Sequence, residues 1–246
     1  MVEVGGYPLL WHIMKIYGAY GFGEFVVACG YRGDVISDWF VDYHRRRARS
    51  LTIDLATDEQ VLRNGTCEPW RVHLLDTGQA TQTGGRVKQA LEYVGREPLL
   101  LTYGDAVADV DVAALVRFHR ARGRLATVTA VRPPARFGAL DLEGDGVRGF
   151  SEKPPGGEGW ISGGYFVLQP EVADYIAGDD TVFESGPLVR LAAEGELAAY
   201  RHDGFWQCMD SMREVELLRR LWDSGRPPWR VWDDGRPSLA VTPRAA

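Results

Sequence analysis

Four charged side chains in this chain are of types that handle phosphate groups. Asp105 lies just past the apolar run Leu99–Thr102, and Asp210 is a second isolated acid among apolar neighbours. Mg²⁺ in proteins prefers one or two carboxylates together with phosphate oxygens and water. Arg86 could grip a phosphate with its guanidinium group, and Lys153 supplies a compact charge for a sugar phosphate. These residue types suit a divalent ion that carries phosphate oxygens, with a sugar phosphate beside it.

A loop rich in hydroxyl groups and glycine, residues 76–86, runs into a predicted helix and contains Thr81, Gly84 and Gly85. Free backbone N–H groups at a helix start favour an anion, so we expect this loop to bind phosphate beside Arg86. The alternative is a polar crossover loop with ordinary helix capping, and this segment alone favours neither.

Further candidates lie in the second half of the chain. Glu152 can accept hydrogen bonds from sugar hydroxyl groups, and Ser162 and Gly163 begin a predicted strand nearby. Helix capping is a competing role for three acids: Asp210 could be an N-cap, and Asp109 and Asp111 are expected to cap the helix that follows them.

The predicted elements place these residues at strand ends. The predicted strands are Phe25–Cys29, Arg71–Leu75, Leu99–Thr102, Ala126–Val131 and Ile161–Leu168; the predicted helices are Leu9–Tyr20, a helix capped by Asp34, Arg86–Val94, a helix from Asp111 through Phe118, Leu188–Ala193 and Arg213–Trp222. Strands that are apolar on both faces need cover on two sides, which predicts an α/β fold with a mostly parallel sheet and helices on both faces. Short alternating segments around residues 143–146 predict a small antiparallel hairpin. In such open sheets, ligands bind beyond the carboxyl ends of the strands.

Composition excludes several classes of protein. The 246 residues carry 34 acidic and 28 basic side chains, a net charge of −6, which argues against a nucleic-acid binder. The longest apolar runs are far shorter than the roughly 20 residues of a membrane helix. No basic-then-apolar signal opens the chain, so a cytoplasmic protein without membrane partners is expected. Three widely spaced cysteines predict neither a disulfide framework nor a zinc site, and Cys29 is expected to be a small buried apolar residue.

In their order and spacing, the motifs of this chain resemble those of the sugar-1-phosphate nucleotidyltransferases, and specifically the glucose-1-phosphate cytidylyltransferase branch. The similarity covers nearly the whole chain, from Met1 to about Trp232. The matching stretches are Met1–Gly6, Leu10–Lys15, Cys29–Tyr31, Glu68–Trp70, Asp76–Gly78, Thr83–Arg86, Thr102–Asp105, Arg136–Leu140, Glu152–Pro154 and Gly204–Gln207.

The resemblance implies a Rossmann-like fold of the nucleotide-diphospho-sugar transferase type and a magnesium-dependent transfer between CTP and glucose 1-phosphate. CDP-glucose for the deoxysugars of surface polysaccharides such as O-antigen would result, and a homo-oligomer is expected. It implies magnesium ligation by Asp105 and Asp210 and nucleotide contacts from Thr81, Arg86 and Gly104. It further implies that Lys153 binds the sugar phosphate and Glu152 the hexose, with Gly84, Gly85, Gly138, Ser162 and Gly163 as further substrate-binding positions.

Some family features differ in this chain. The family opens with a central strand and a glycine-rich G-x-G-T-R loop ahead of the position of Met1, so we expect residues 1–232 to form one N-terminally incomplete domain and residues 233–246 a loose tail. Three alternatives follow: a truncated homologue that binds nucleotide or sugar phosphate without catalysis, an enzyme for another hexose 1-phosphate, and a glycosyltransferase that consumes a nucleotide sugar. Ser162 stands where this branch usually has Asn, Ala106 where Gly is customary and Cys208 where Pro is customary.

Overall fold

The computed structural model describes residues 1–48, 50–63, 67–133, 139–143, 146–151 and 159–233. Its α-helices are α1 (Leu9–Gly18), α2 (Gly33–Arg47), α3 (Thr83–Val94), α4 (Val112–Arg122), α5 (Pro187–Ala193) and α6 (Met212–Asp223). Its strands are β1 (Glu3–Val4), β2 (Tyr7–Pro8), β3 (Glu24–Cys29), β4 (Ser50–Asp54), β5 (Glu59–Arg63), β6 (Arg71–Asp76), β7 (Leu99–Thr102), β8 (Ala106–Ala108), β9 (Ala126–Val131), β10 (Ala139–Glu143), β11 (Gly146–Ser151), β12 (Ile161–Leu168), β13 (Leu197–His202) and β14 (Trp206–Cys208).

The larger sheet has the strand order β13-β9-β12-β7, and a second, two-stranded sheet pairs β3 with β6. The β13–β9 and β3–β6 pairs are parallel, whereas β12 runs antiparallel to both of its neighbours. The α/β class is therefore confirmed, with mixed rather than mostly parallel pairing among the described strands. An apolar run fits a buried strand of either direction, which is why its pattern did not reveal the orientation of β12.

Helix α3 connects the two sheets. It packs against both β3 and β7, although in the described part of the chain these two strands pair only with β6 and β12 respectively. The apolar residues of β7 and most of those of β3 are half-buried rather than fully buried. The family's central strand is expected between strands such as these two, and the expectation that residues 1–232 form an N-terminally incomplete domain stays a prediction.

Most predicted elements are present within a few residues of their expected ends, and the hairpin around residues 143–146 is formed by β10 and β11. The prediction that Asp34 caps α2 is wrong. The N-cap is Arg32, held in the left-handed region at φ 59°, and Asp34 lies inside the first turn. Asp111 does cap α4, because its side chain accepts a hydrogen bond from the Ala114 amide. None of the helices among the described residues is long and apolar enough to cross a membrane.

Buried His12 forms hydrogen bonds with residues near both ends of the described chain. Its Nε2 lies 2.9 Å from the carbonyl oxygen of Val4, and the indole Nε1 of Trp229 lies 3.3 Å from its Nδ1. A carbonyl only accepts and an indole N–H only donates, so the ring must be neutral with its proton on Nε2. Burial lowers the pKa of His12 to about 4, against the opposing effect of the Val4 and Tyr7 carbonyls.

We expect acid to destabilise the fold through His12. The unfolded chain protonates this residue below about pH 6.5, whereas the folded chain does so only near pH 4. The free energy of unfolding should therefore fall as the pH drops through this window, by up to about 3 kcal/mol from this residue. Urea unfolding at several pH values should show a shallower dependence for His12→Gln. The exposed-site control His44→Gln should keep the wild-type dependence, and an equal dependence in the His12 variant would contradict the assignment.

Candidate active site

A short antiparallel ribbon of β8 and β14 brings Asp105 and Asp210 to one place. Asp105 immediately precedes β8 and Asp210 lies two residues after the end of β14, where Ala106 faces Cys208. In the next residue pair of the ladder after Ala106 and Cys208, the Met209 amide donates to the Asp105 carbonyl at 2.8 Å. The two acids, 105 positions apart in sequence, therefore lie at the same end of one ribbon.

The other end of the ribbon is closed as well. The Asp109 amide donates to the Phe205 carbonyl at 3.1 Å, and the Asp109 carboxylate lies 3.0 Å from His202 Nε2. Asp109 thus pairs with a histidine, and the prediction that it caps α4 is wrong. Bonds at both ends fix the register that sets the positions of the two acids.

Electrostatics indicate that the negative charge of Asp210 acts on Asp105. Loss of water around Asp105, and next the negative charge of Asp210, raise the pKa of Asp105 above its ordinary value. Asp210 is not the N-cap of α6, because that position belongs to Ser211. Two neighbouring carboxylates are oxygen donors of the kind that a divalent metal ion prefers.

The space around Gly104 is open, as expected for a residue beside a ligand. A Cβ atom added there would meet no atom within 4 Å. Gly163 differs, because a Cβ atom there would come within 2.7 Å of Val131, so this glycine allows close packing of β12 on β9. Its carbonyl accepts a hydrogen bond from the Trp206 indole at 2.9 Å, and Ser162 beside it is exposed.

Arg86 lies at the carboxyl ends of β3 and β6. Its guanidinium donates to the Cys29 carbonyl at 3.2 Å, to the Gln79 carbonyl at 3.4 Å and to the Thr77 hydroxyl. It covers Gly30, where a Cβ atom would come within 2.4 Å of the guanidinium nitrogens. No carboxylate in the described residues pairs with Arg86, so its positive charge is left for an anion.

Two of the N–H groups at the start of α3 are not free to bind an anion. The Gln82 amide donates to the Asp179 carbonyl and the Gly84 amide to the Thr181 carbonyl, each at 2.8 Å. The prediction of an anion site on these two amides is therefore wrong. The segment that supplies the carbonyls, residues 178–186, is called here the α3 strap.

The α3 strap also explains the glycines at this helix start. A Cβ atom on Gly84 or Gly85 would lie 2.6 Å from strap backbone, so both are buried packing positions rather than open substrate contacts. Thr81, half-buried, donates its hydroxyl to the Thr77 carbonyl at 2.6 Å and so shapes the preceding loop. Gly138, Glu152 and Lys153 lie outside the described residues, and their roles stay predictions.

Sequence reasoning missed two acids that support the site. Glu214 accepts hydrogen bonds from the amides of Asp210 at 2.8 Å and Ser211 at 2.9 Å, completing a capping box with Ser211. The spacing Ser-x-x-Glu before an apolar run was the signal that could have revealed it. Glu184 in the α3 strap contacts both Thr83 and Tyr103, and no local pattern indicates such a bridge.

Comparison with known proteins supplies the family context. The family model described as "Nucleotidyl transferase" matches residues 1–206. The chain is 48% identical over 231 residues to the glucose-1-phosphate cytidylyltransferase of Salmonella typhi, covering 94% of this chain and 90% of that protein. It is 44% identical over 233 residues to the "Probable glucose-1-phosphate cytidylyltransferase" of Bacillus subtilis, covering 94% and 90% respectively.

Solved structures show the same fold at low identity. HddC from Yersinia pseudotuberculosis superposes with a TM-score of 0.62 at 18% identity, over 90% of this chain and 88% of that chain. A UDP-glucose pyrophosphorylase complexed with UDP-glucose gives 0.61 at 14% identity, over 92% and 90%. At these identities the likeness concerns the arrangement of strands and helices alone.

Repulsion between the two acids can be tested without any substrate. In the absence of metal, Asp105→Asn should raise the melting temperature at neutral pH by about 1–3 °C, because the raised pKa of Asp105 means that its ionisation opposes folding. The gain should disappear at low pH, where the wild-type carboxyl is protonated. Magnesium should raise the melting temperature of the wild type but not that of Asp105→Asn.

The surface variant Asp42→Asn on α2 serves as the control for this experiment and should respond to magnesium like the wild type. Calorimetric scans with chelator and with magnesium measure both effects. An undiminished response of Asp105→Asn to magnesium would show that the cation binds elsewhere.

Proposed function

The chain belongs to the nucleotidyl transferase family, in its glucose-1-phosphate cytidylyltransferase branch, and we propose that it transfers a cytidylyl group from CTP to α-D-glucose 1-phosphate. The products are CDP-glucose and pyrophosphate. The observation that carries the proposal is the meeting of Asp105 and Asp210 at one end of the β8–β14 ribbon. We expect the reaction to take place in the cytoplasm and its product to supply deoxysugar synthesis for surface polysaccharides.

The reaction needs no covalent enzyme intermediate. A phosphate oxygen of glucose 1-phosphate forms a new bond to the α-phosphorus of CTP. The bond from that phosphorus to the oxygen bridging the α- and β-phosphates breaks, and pyrophosphate leaves with the electron pair. Positioning and neutralisation of charge supply most of the rate in such transfers.

Asp105 and Asp210 would hold the divalent cation that the family generally requires, which we propose is Mg²⁺. When bound, that ion neutralises charge on the phosphate oxygens. Burial and next the negative charge of Asp210 raise the pKa of Asp105, and a cation between the carboxylates would relieve the repulsion, which supports this assignment. The open side of Gly104 leaves room for the nucleotide to approach the two acids.

Arg86 would bind the nucleotide phosphates. Its hydrogen bonds to Cys29 and Gln79 fix the guanidinium against two carbonyls that do not cancel its charge. The Gln82 and Gly84 amides at the start of α3 already donate to the α3 strap, so we assign the attraction for phosphate to this side chain. On the sugar side, we keep Lys153 for the phosphate and Glu152 for the hexose hydroxyl groups.

The choice of hexose depends partly on Ser162. A hydroxyl there lacks the paired donor and acceptor of the customary asparagine amide, so hexose 1-phosphates other than glucose must be tested as substrates. Ser162 lies in β12 with an exposed side chain, which is compatible with a contact to bound sugar.

Pyrophosphate release tests the proposed reaction. With magnesium and glucose 1-phosphate, CTP should be used at least tenfold more efficiently than UTP, GTP or dTTP. Asp105→Asn and Asp210→Asn should each lower kcat at least about 100-fold, because each removes charge neutralisation at the phosphates. The surface variant Asp42→Asn should keep wild-type kinetics. Absence of pyrophosphate release with every nucleotide and hexose 1-phosphate would reject the proposed reaction, whereas release of nucleoside diphosphate from a nucleotide sugar would indicate a glycosyltransferase.

We further propose that the enzyme is a homo-oligomer that assembles through the β4–β5 hairpin. Leu51 and Ile53 project from the same face of β4 and are 43% and 49% exposed. A two-stranded hairpin with both faces in water is marginally stable, so an apolar face of this kind favours burial against a second copy.

Light scattering coupled to gel filtration checks the assembly. The wild type should have a molar mass that is a multiple of 27.4 kDa. Replacing Leu51 and Ile53 together by lysine should reduce the mass to that of one chain, whereas Thr52→Lys on the opposite face should leave it unchanged. A monomeric wild type at all concentrations would contradict the proposal.

A further inference from the structure

Glu184 in the α3 strap bridges two parts of the proposed active site that no backbone ladder joins among the described residues. We propose that it is a positioning residue: by binding Thr83 and Tyr103 at once, it fixes the loop that carries Asp105 relative to the helix that carries Arg86. The inference rests on the proposed function for its kinetic consequences, but its effect on the cation site does not depend on turnover.

The bridge consists of two hydrogen bonds to one carboxylate. Glu184 Oε2 accepts from the Thr83 hydroxyl at 2.7 Å, and Oε1 accepts from the Tyr103 hydroxyl. Thr83 is the first residue of α3, and Tyr103 precedes Asp105 by two residues. One side chain therefore reaches both the helix start and the loop with the cation ligand.

The strap holds Glu184 on a fixed base. Its neighbour Phe183 is completely buried, and the Phe183 amide donates to the Thr83 hydroxyl at 2.9 Å. Asp179, earlier in the strap, accepts a hydrogen bond from Gln89 of α3 at 3.0 Å and one from the Gln82 amide at 2.8 Å. Because several hydrogen bonds join the strap to α3, the position of the Glu184 carboxylate is fixed relative to the helix.

Tyr103 is held from its other side by β12. Its amide donates to the Gly164 carbonyl at 3.0 Å, and a Cβ atom added to Gly164, which has φ +76°, would lie 3.2 Å from the tyrosine ring. Backbone and ring are thus placed by the larger sheet, while the hydroxyl is placed by Glu184. The hydroxyl bond therefore adds a polar link between α3 and the larger sheet at the active-site edge, beside the apolar packing of α3 on β7.

This alignment matters because β3 and β7 share no ladder among the described residues. Arg86 takes its position from the carboxyl ends of β3 and β6, whereas Asp105 follows β7. The distance between the phosphate-binding charge and the cation site consequently depends on side-chain contacts. Both oxygens of Glu184 already accept protein hydrogen bonds, which favours positioning over direct ligation of the metal.

Glu184→Gln tests the bridge, since a glutamine keeps one acceptor oxygen and can meet the second hydroxyl group only by donating to it, which replaces two charge-assisted hydrogen bonds with neutral ones. We expect kcat to fall about tenfold and the magnesium concentration for half-maximal activity to rise about threefold, with KM for glucose 1-phosphate changed less than twofold. Tyr103→Phe and Thr83→Val each break one arm, and each should reproduce most of this effect. The effect of combining either variant with Glu184→Gln should be well short of additive.

Glu194→Gln is the matched control. Glu194 likewise accepts a tyrosine hydroxyl, from Tyr175 at 2.6 Å, but at the surface between the 3-10 helix Pro170–Tyr175 and the end of α5. It should keep wild-type kcat and wild-type magnesium dependence.

Titration calorimetry with magnesium alone measures the cation site independently of turnover. A weaker affinity in Glu184→Gln than in Glu194→Gln, at equal folded fraction by circular dichroism, supports the bridge. Unchanged magnesium affinity and unchanged kcat in folded Glu184→Gln would overturn it, as would a loss of activity that only follows loss of folded protein. If the wild type releases no pyrophosphate, the proposed reaction fails, whereas the calorimetric comparison still decides the role of Glu184.

Discussion

The mutual repulsion of Asp105 and Asp210 is the constraint on which the rest of the site depends. Two like charges do not stay together unless other interactions hold them, and here the β8–β14 ladder does so through the Met209–Asp105 bond at one end and the Asp109–Phe205 bond at the other. Burial, and next the negative charge of Asp210, raise the pKa of Asp105 in this arrangement. A site whose resting state is strained by charge gains most from binding a cation, which is the property that a metal-dependent phosphate transfer requires.

The start of α3 and Arg86 differ in their capacity to attract phosphate. A helix start is a common anion site, but the amides at the start of α3 already donate to the α3 strap, and Thr83 there binds the carboxylate of Glu184. The negative charge that stabilises the N-terminus of α3 is therefore supplied by the Glu184 carboxylate. Arg86, one turn further on, remains without a carboxylate partner in the described residues. Under the proposed function, Arg86 and a bound cation would therefore attract the triphosphate at this end of α3.

The types of the central residues could be predicted from the sequence, whereas their arrangement could not. Asp105 and Asp210 stand out because each is an isolated acid among apolar neighbours, yet β8 and β14 have three residues each and lie about a hundred positions apart. Pairing at that separation leaves no periodic trace. The same applies to Glu184, which meets Tyr103 across 81 positions. The Ser211–Glu214 capping box was missed, although its local Ser-x-x-Glu spacing could have predicted it. The cap of α2 was predicted wrongly because Arg32 adopts a left-handed conformation that its residue type does not suggest.

The two departures from family custom nearest the acids, Ala106 and Cys208, turn out to face each other in the ribbon. Since the flanking pairs carry the ladder bonds, this pair is a non-hydrogen-bonded one, in which side chains approach closely and the backbone N–H points away. A proline at position 208 costs nothing there, and its replacement by cysteine leaves the bonds that position Asp105 intact. Burial, followed by the charges of Glu214 and Asp210, raises the pKa of the Cys208 thiol to about 11, so it stays protonated and donates to Glu214 at 3.5 Å. The Cys208 thiol thus contacts the residue that accepts the Asp210 amide hydrogen bond, and the small buried Ala106–Cys208 pair lies beside the proposed cation site.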